Sequence, residues 1–114
     1  MPNDRPTLTT AGLHILVAIG PGERHGYAIM AEVEHLTNGA LRLAPGTLYT
    51  TIKRLLGAGL IEETGERPDP HLDDQRRRYY RLTPNGRAVV AAEVRRLDAV
   101  VSSARPWALD GGDR

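Results

Sequence analysis

The sequence contains no cysteine and no phenylalanine, and every basic residue except Lys53 is arginine. Without cysteine, disulfides, thiolate metal sites and cysteine nucleophiles are excluded together. Aromatic residues make up only 4% of the chain, so apolar bulk must come from leucine, isoleucine and valine. No apolar run approaches the ~18 residues that a membrane span needs, and the first ten residues carry no stretch like a signal peptide. A cytoplasmic location without membrane association is therefore expected. What is present is ordinary for a globular chain: 114 residues, 40% hydrophobic and 25% charged. That is the size of one domain, long enough to bury a core.

Chemistry of the usual catalytic kinds is also missing. There is no Gly-x-Ser-x-Gly elbow and no Walker loop, and Ser102-Ser103 has no histidine nearby in sequence. Glu62-Glu63 reads as the exposed end of a strand rather than an acid/base pair. His14, His25, His35 and His71 match no zinc spacing, and none pairs with another at i, i+4. No enzyme activity, cofactor or metal is expected, and His25 is assigned to ordering the start of a helix.

The formal net charge is +1, but the charges are sorted along the chain. Two basic blocks, 42–61 and 75–96, flank an acidic one at 62–74. Codon bias explains the arginine excess well enough, although arginine also forks onto phosphates and guanine edges.

Hydrophobic periodicity divides the chain into helices and a hairpin. From Leu8 to Ile19 apolar residues fall on two sides of a helical wheel, with Leu13, Leu16 and Val17 on one stripe and Ile15 and Ile19 on another. Thr9 or Thr10 can cap this first helix, and Gly20-Pro21-Gly22 ends it. A second helix over 26–36 carries Tyr27, Met30, Val33 and Leu36, and Asn38-Gly39 stops it. The third opens at Pro45 and points Leu48, Ile52, Leu55 and Leu56 inward. Its reverse side holds Gly46, Thr47, Thr50, Lys53 and Arg54 with no acid among them, a face suited to a polyanion. Tyr49 lies at the border.

An extended segment begins at Leu60-Ile61, and Arg76–Leu82 reads as its partner strand. Gly65–Gln75, with two prolines, a glycine and several acids, reads as the loop between them. Strand parity puts Tyr80 and Leu82 toward the core and Tyr79 away from it. Thr83-Pro84 then opens a long helix in which Val90, Val94, Leu97, Val101 and Ala104 form a heptad seam. By spacing alone, that seam fits an amphipathic helix lying on its own domain nearly as well. The preceding elements already cover one another, which leaves the seam for a second copy. Residues 106–114, including Trp107, read as a frayed tail.

The fold class expected is mainly α with a small β-hairpin: a winged helix-turn-helix at 8–83, a C-terminal dimerisation helix at 84–105, and flexible tails at 1–7 and 106–114. In such a domain the third helix enters the major groove and the hairpin lies along the DNA backbone.

Three motifs add a specific resemblance. His25-Gly26-Tyr27, the run Pro45-Gly46-Thr47-Leu48-Tyr49 through Lys53-Arg54-Leu55 to Gly59-Leu60-Ile61, and Arg78-Tyr79-Tyr80-Arg81-Leu82-Thr83 stand in this order. Together they resemble the PadR family of bacterial transcriptional regulators over about Leu8 to Ala104. The single C-terminal helix is similar to the short PadR subfamily. The resemblance implies a homodimeric repressor, joined through its first and last helices, that binds a pseudo-palindromic double-stranded operator and is released by a small-molecule effector. Family members commonly carry a serine before Pro-Gly-Thr. Ala44 stands there instead, and loss of that cap costs about 1 kcal/mol.

On this reading Thr47, Thr50 and Lys53 read base edges, Gly46 allows close approach, and Arg76, Arg77 and Arg78 approach phosphates, with Arg54 and Tyr79 also among the DNA-binding residues. Arg76, Arg77 and Arg78 can instead pair with Glu66, Asp73 and Asp74. Tyr27 and Tyr49 either offer phenol hydroxyls to phosphate or sit half-buried in the core. Leu13, Ile15, Ile19, Val90, Val94, Leu97, Val101 and Ala104 are the candidate dimer contacts. Ile15, Ile19, Leu97 and Trp107 are candidate walls of an effector chamber, although Trp107 also fits a loosely packed tail. A winged-helix module that binds an acidic protein partner, without specific DNA recognition, is the alternative.

Overall fold

The computed structural model describes residues 8–66 and 78–110. Its elements run α1 (Thr10–Ile19), β1 (Glu23–His25), α2 (Gly26–Leu36), α3 (Pro45–Gly57), β2 (Ile61–Glu66), β3 (Arg78–Leu82) and α4 (Pro84–Arg105), followed by a π-helical turn at Pro106–Asp110. No helix among the described residues is long and apolar enough to cross a membrane.

The Thr9 side chain starts α1 by accepting a hydrogen bond from the Gly12 amide at 2.9 Å, satisfying a donor that the helix itself leaves open. Gly20, at φ 69°, ends it. Apolar residues on two sides suit a helix with several neighbours, and α1 packs against α2, α3, α4 and β3, although Val17 of the expected stripe is left exposed. Ile15, Leu16, Ala18 and Ile19 are consequently buried.

In α2 the buried residues are Gly26, Ile29 and Val33; of the expected stripe of Tyr27, Met30, Val33 and Leu36, Val33 is fully buried and Met30 packs partly against the core. The run Gly-Tyr-Ala-Ile-Met offers two apolar stripes one residue apart, and tertiary packing selects the first. Leu36 is left 45% exposed. In α3, Leu48, Ile52 and Leu55 are buried as the spacing predicts, joined by Thr51.

The sheet has three antiparallel strands in the order β1-β3-β2. Strand β1, which pairs Arg24 with Tyr80, is an addition to the expected hairpin. Its three residues, Glu-Arg-His, are too short and too polar to show a strand period. Strand β2 also continues past the expected loop start, because a bulge between Glu63 and Gly65, with Gly65 at φ 112°, keeps the chain paired as far as Glu66. The rest of the expected loop, with Arg76 and Arg77, lies outside the described residues.

The start of α4 is clamped to the start of β2. Thr83 accepts from the Gly86 amide at 2.9 Å and donates its hydroxyl to the Gly59 carbonyl at 2.6 Å. Gly86 is packed so closely on the Leu60 carbonyl that a β-carbon there has no space. Arg87 donates to the Pro21 carbonyl at 3.1 Å, tying α4 to the turn after α1. At the far end, residues 106–110 are helical rather than frayed. Pro106 cannot donate to the carbonyl four residues back, and the turn that follows is wider than an α-helix.

Candidate nucleic-acid interface

Two sides of α3 have opposite character. The inner stripe anchors the helix on α1, α2 and β2, while Gly46, Thr47, Thr50, Lys53 and Arg54 are all exposed. No acid lies on the helix, and among the described residues neither Lys53 nor Arg54 has an acidic partner. A β-carbon at Gly46 would meet nothing within 4 Å, so packing within the protomer does not require glycine there. Ala44 leaves the start of the helix without a side-chain cap, and Thr47 does not replace one. Arg42, from the same basic block, is instead paired with Glu34 of α2 at 3.3 Å.

The hairpin is less uniformly cationic than its sequence. Arg78 lies 3.7 Å from the Glu63 carboxylate and Arg81 2.6 Å from that of Glu62. The acids that meet Arg78 and Arg81 therefore come from across the ladder. Both pairs are exposed, so they are weak and can be traded for another anion at little cost. Burial, followed by the Glu63 charge, pushes the Tyr80 phenol above its ordinary range, and Arg78 opposes the shift. Tyr80 fills the core as parity predicts.

The tyrosines divide differently from expectation. Tyr27 is half-buried on α2. Tyr79, half-buried on the opposite face of β3 from Tyr80, meets the His25 ring edge-on at 5.3 Å and 88°. Tyr49 turns inward: its hydroxyl oxygen is buried, and its ring tip lies where a β-carbon on Gly26 would stand, 2.8 Å from its Cζ. That hydroxyl is therefore not available to a phosphate, which corrects the DNA-contact expectation for Tyr49. His25 does order α2, its Nδ1 accepting from the Ala28 amide at 3.1 Å.

Helix α4 buries only Gly86. Leu13, Val90, Leu97 and Ala104 are half-buried, whereas Val94, Val100 and Val101 are exposed. Ile15 and Ile19 do not join them. Both are sealed inside the protomer core, which leaves them no surface for a partner or an effector. Trp107, 71% exposed, borders a shallow groove with Ala99, Val100, Ser103 and Ala104. Among the described residues no three metal-ligating side chains cluster.

Sequence reasoning missed Gly26 and Gly86. A glycine in the first turn of a helix is an energetic cost that hints at close packing, but the partner segment cannot be read from it.

The family model described as the transcriptional regulator PadR-like family matches residues 15–92. The chain belongs to this family. Relatives include the transcriptional regulator Rv3488 of Mycobacterium tuberculosis, 37% identical over 75% of this chain and 74% of its own length. Among solved structures, RosR of H. salinarum is 29% identical, with a TM-score of 0.64 over 88% of this chain and 80% of its own. Bacillus subtilis PadR in complex with operator DNA shares the fold, with a TM-score of 0.65 at 19% identity over 77% of this chain and 48% of its own. In PadR terms α2 and α3 are the helix-turn-helix, β2 and β3 the wing, and the protein is a transcriptional regulator of winged-helix architecture.

Proposed function

We propose that this PadR-like protein is a repressor that binds a pseudo-palindromic duplex operator as a homodimer and lets go when an effector binds. The observation that carries the reading is the exposed, acid-free side of α3, with Thr47, Thr50 and Lys53 in one row. Such a row suits a major groove, whose edges carry donors and acceptors for hydroxyl and ammonium groups. Gly46 lets the DNA backbone come close. Arg54 on α3 and Arg76, Arg77 and Arg78 on the wing supply phosphate contacts, which position the protein without reading sequence. Support also comes from B. subtilis PadR, whose solved structure contains operator DNA. A duplex-binding role carries a cytoplasmic location with it.

The exposed seam of Val94 and Val101, with Leu97 and Ala104 beside it, is the surface for the second copy, and Leu13 and Val90 extend it. Two protomers joined there engage half-sites about one helical turn apart, roughly 34–36 Å. A small apolar effector lodged between the two copies of α4, near Leu97 and Trp107, would change the separation of the two α3 helices. Affinity depends on both engaging together, so a small displacement releases the operator.

Selection of bound duplexes from genomic fragments, followed by salt-titrated binding, tests this reading. The regulator predicts one enriched palindrome and a log-log salt slope of several, about 0.9 per phosphate neutralised. Uniformly weak binding to all duplexes, with tight binding to an acidic protein surface, overturns it in favour of an interaction module.

A further inference from the structure

We infer that Tyr49 and Gly26 set the position of the recognition helix relative to the wing, and that Tyr49 governs operator specificity without touching DNA. This rests on the reading of α3 as the DNA-binding helix. Two contacts converge on consecutive residues at the start of α2. The Tyr49 ring tip, from the first turns of α3, seats on Gly26, where the absent β-carbon leaves its place to the phenol. The Tyr79 ring, from the wing strand β3, seats edge-on against His25. His25 is itself held, because its Nδ1 caps the helix through Ala28. One short turn therefore holds α3 on one side and the wing on the other.

The consequence follows from geometry. Thr50 and Lys53 lie one residue and four residues beyond Tyr49 on the same rigid helix, so a change in how deeply Tyr49 seats tilts both of them relative to Arg78 on the wing. Base contacts depend on direction and distance, whereas phosphate contacts made by long arginines tolerate displacement. A seating change therefore alters sequence preference more than it alters salt dependence. The two glycine-containing motifs of the sequence, His25-Gly26-Tyr27 and Pro45-Gly46-Thr47-Leu48-Tyr49, are on this account two halves of one joint.

Compensation tests it. Gly26→Ala drives a β-carbon into the Tyr49 ring tip and is expected to weaken binding of the selected operator by about tenfold, with reduced base preference at the positions α3 reads. Tyr49→Leu removes the atoms that collide, and the double variant Gly26→Ala/Tyr49→Leu is expected to recover most of the affinity lost by Gly26→Ala. Tyr49→Phe keeps the ring and is expected to keep the wild-type salt slope, since the hydroxyl is buried rather than on a phosphate. Circular dichroism and thermal melts of each variant separate misfolding from misplacement: a variant that melts cooperatively yet has lost base preference is misplaced. Full operator affinity and preference in Gly26→Ala overturns the inference, as does no recovery in a folded double variant, or a salt slope reduced by about one in Tyr49→Phe. Failure of the wild-type protein to prefer any duplex is a different result, which removes the DNA-binding reading itself.

Discussion

Helices α3 and α4 are both amphipathic, yet they spend their two sides in opposite ways. Along α3 the apolar stripe is consumed within the protomer and the outward side is polar and cationic. Along α4 the attachment near its start includes Gly86, Arg87, Val89 and Val90, and Val94, Val100 and Val101 remain exposed further along. The outward side of α3 can gain little from another apolar surface, whereas the exposed valines of α4 can. This division is what the proposed reading uses, with α3 offered to nucleic acid and α4 to a second copy.

If α4 is attached mainly at its root, damage there should be the most costly of all. Gly86→Ala places a β-carbon on the Leu60 backbone carbonyl, which cannot rotate aside, and is expected to destabilise the protein by about 3 kcal/mol or more; chemical denaturation measures it. Damage further along should spare the fold and break the assembly. Val94→Glu with Val101→Glu is expected to weaken self-association by about a hundredfold, roughly 3 kcal/mol, read by sedimentation, while each protomer still melts cooperatively. On α3 the matching change is Lys53→Ala, expected to cost about 2 kcal/mol in base discrimination with no change in oligomeric state, measured by competition between operator and point-mutated duplexes.

Smaller effects sharpen the contrast between capped and uncapped helices. Thr9, His25 and Thr83 cap α1, α2 and α4, whereas Ala44 gives α3 no side-chain acceptor. Ala44→Ser is expected to raise stability by about 1 kcal/mol, measured as a higher denaturation midpoint. The smallest effect is alkaline. Tyr80 is held above its ordinary value of 10.0 by burial and then by Glu63, so as pH rises past that value the unfolded chain ionises first and stability falls. Tyr80→Phe should flatten that alkaline decline and leave the pH dependence below it unaltered.

What the sequence discloses depends on whether the signal is local. The third helix is legible because Pro45 marks its start and Leu48, Ile52 and Leu55 repeat at its period; Thr9 and Thr83 are legible as caps for the same reason. The α2 stripe keeps Val33 but takes Ile29 in preference to Met30, because both are apolar and only packing decides between them. Strand β1 is three polar residues that become a strand only by pairing with β3. Ile15 and Ile19 are displaced from the expected interface because α1 is enclosed by four elements, a property of the whole fold. Tyr49 sits at the edge of its wheel, where periodicity is silent; its inward turn depends on a glycine far away in sequence. At the interface, the exposed row on α3 is local and readable, while the ion pairs that occupy Arg78 and Arg81 arise from strand register.

The most direct measurement uses the absence of cysteine. Thr50→Cys gives the chain a single thiol, to which a DNA-cleaving chelate can be attached, with Asp98→Cys on α4 as the control. On the bound operator, the probe at residue 50 should cut at two places about one helical turn apart, and the probe at residue 98 should not. Strong cutting from residue 98 with none from residue 50 would contradict the assignment of α3 to the groove.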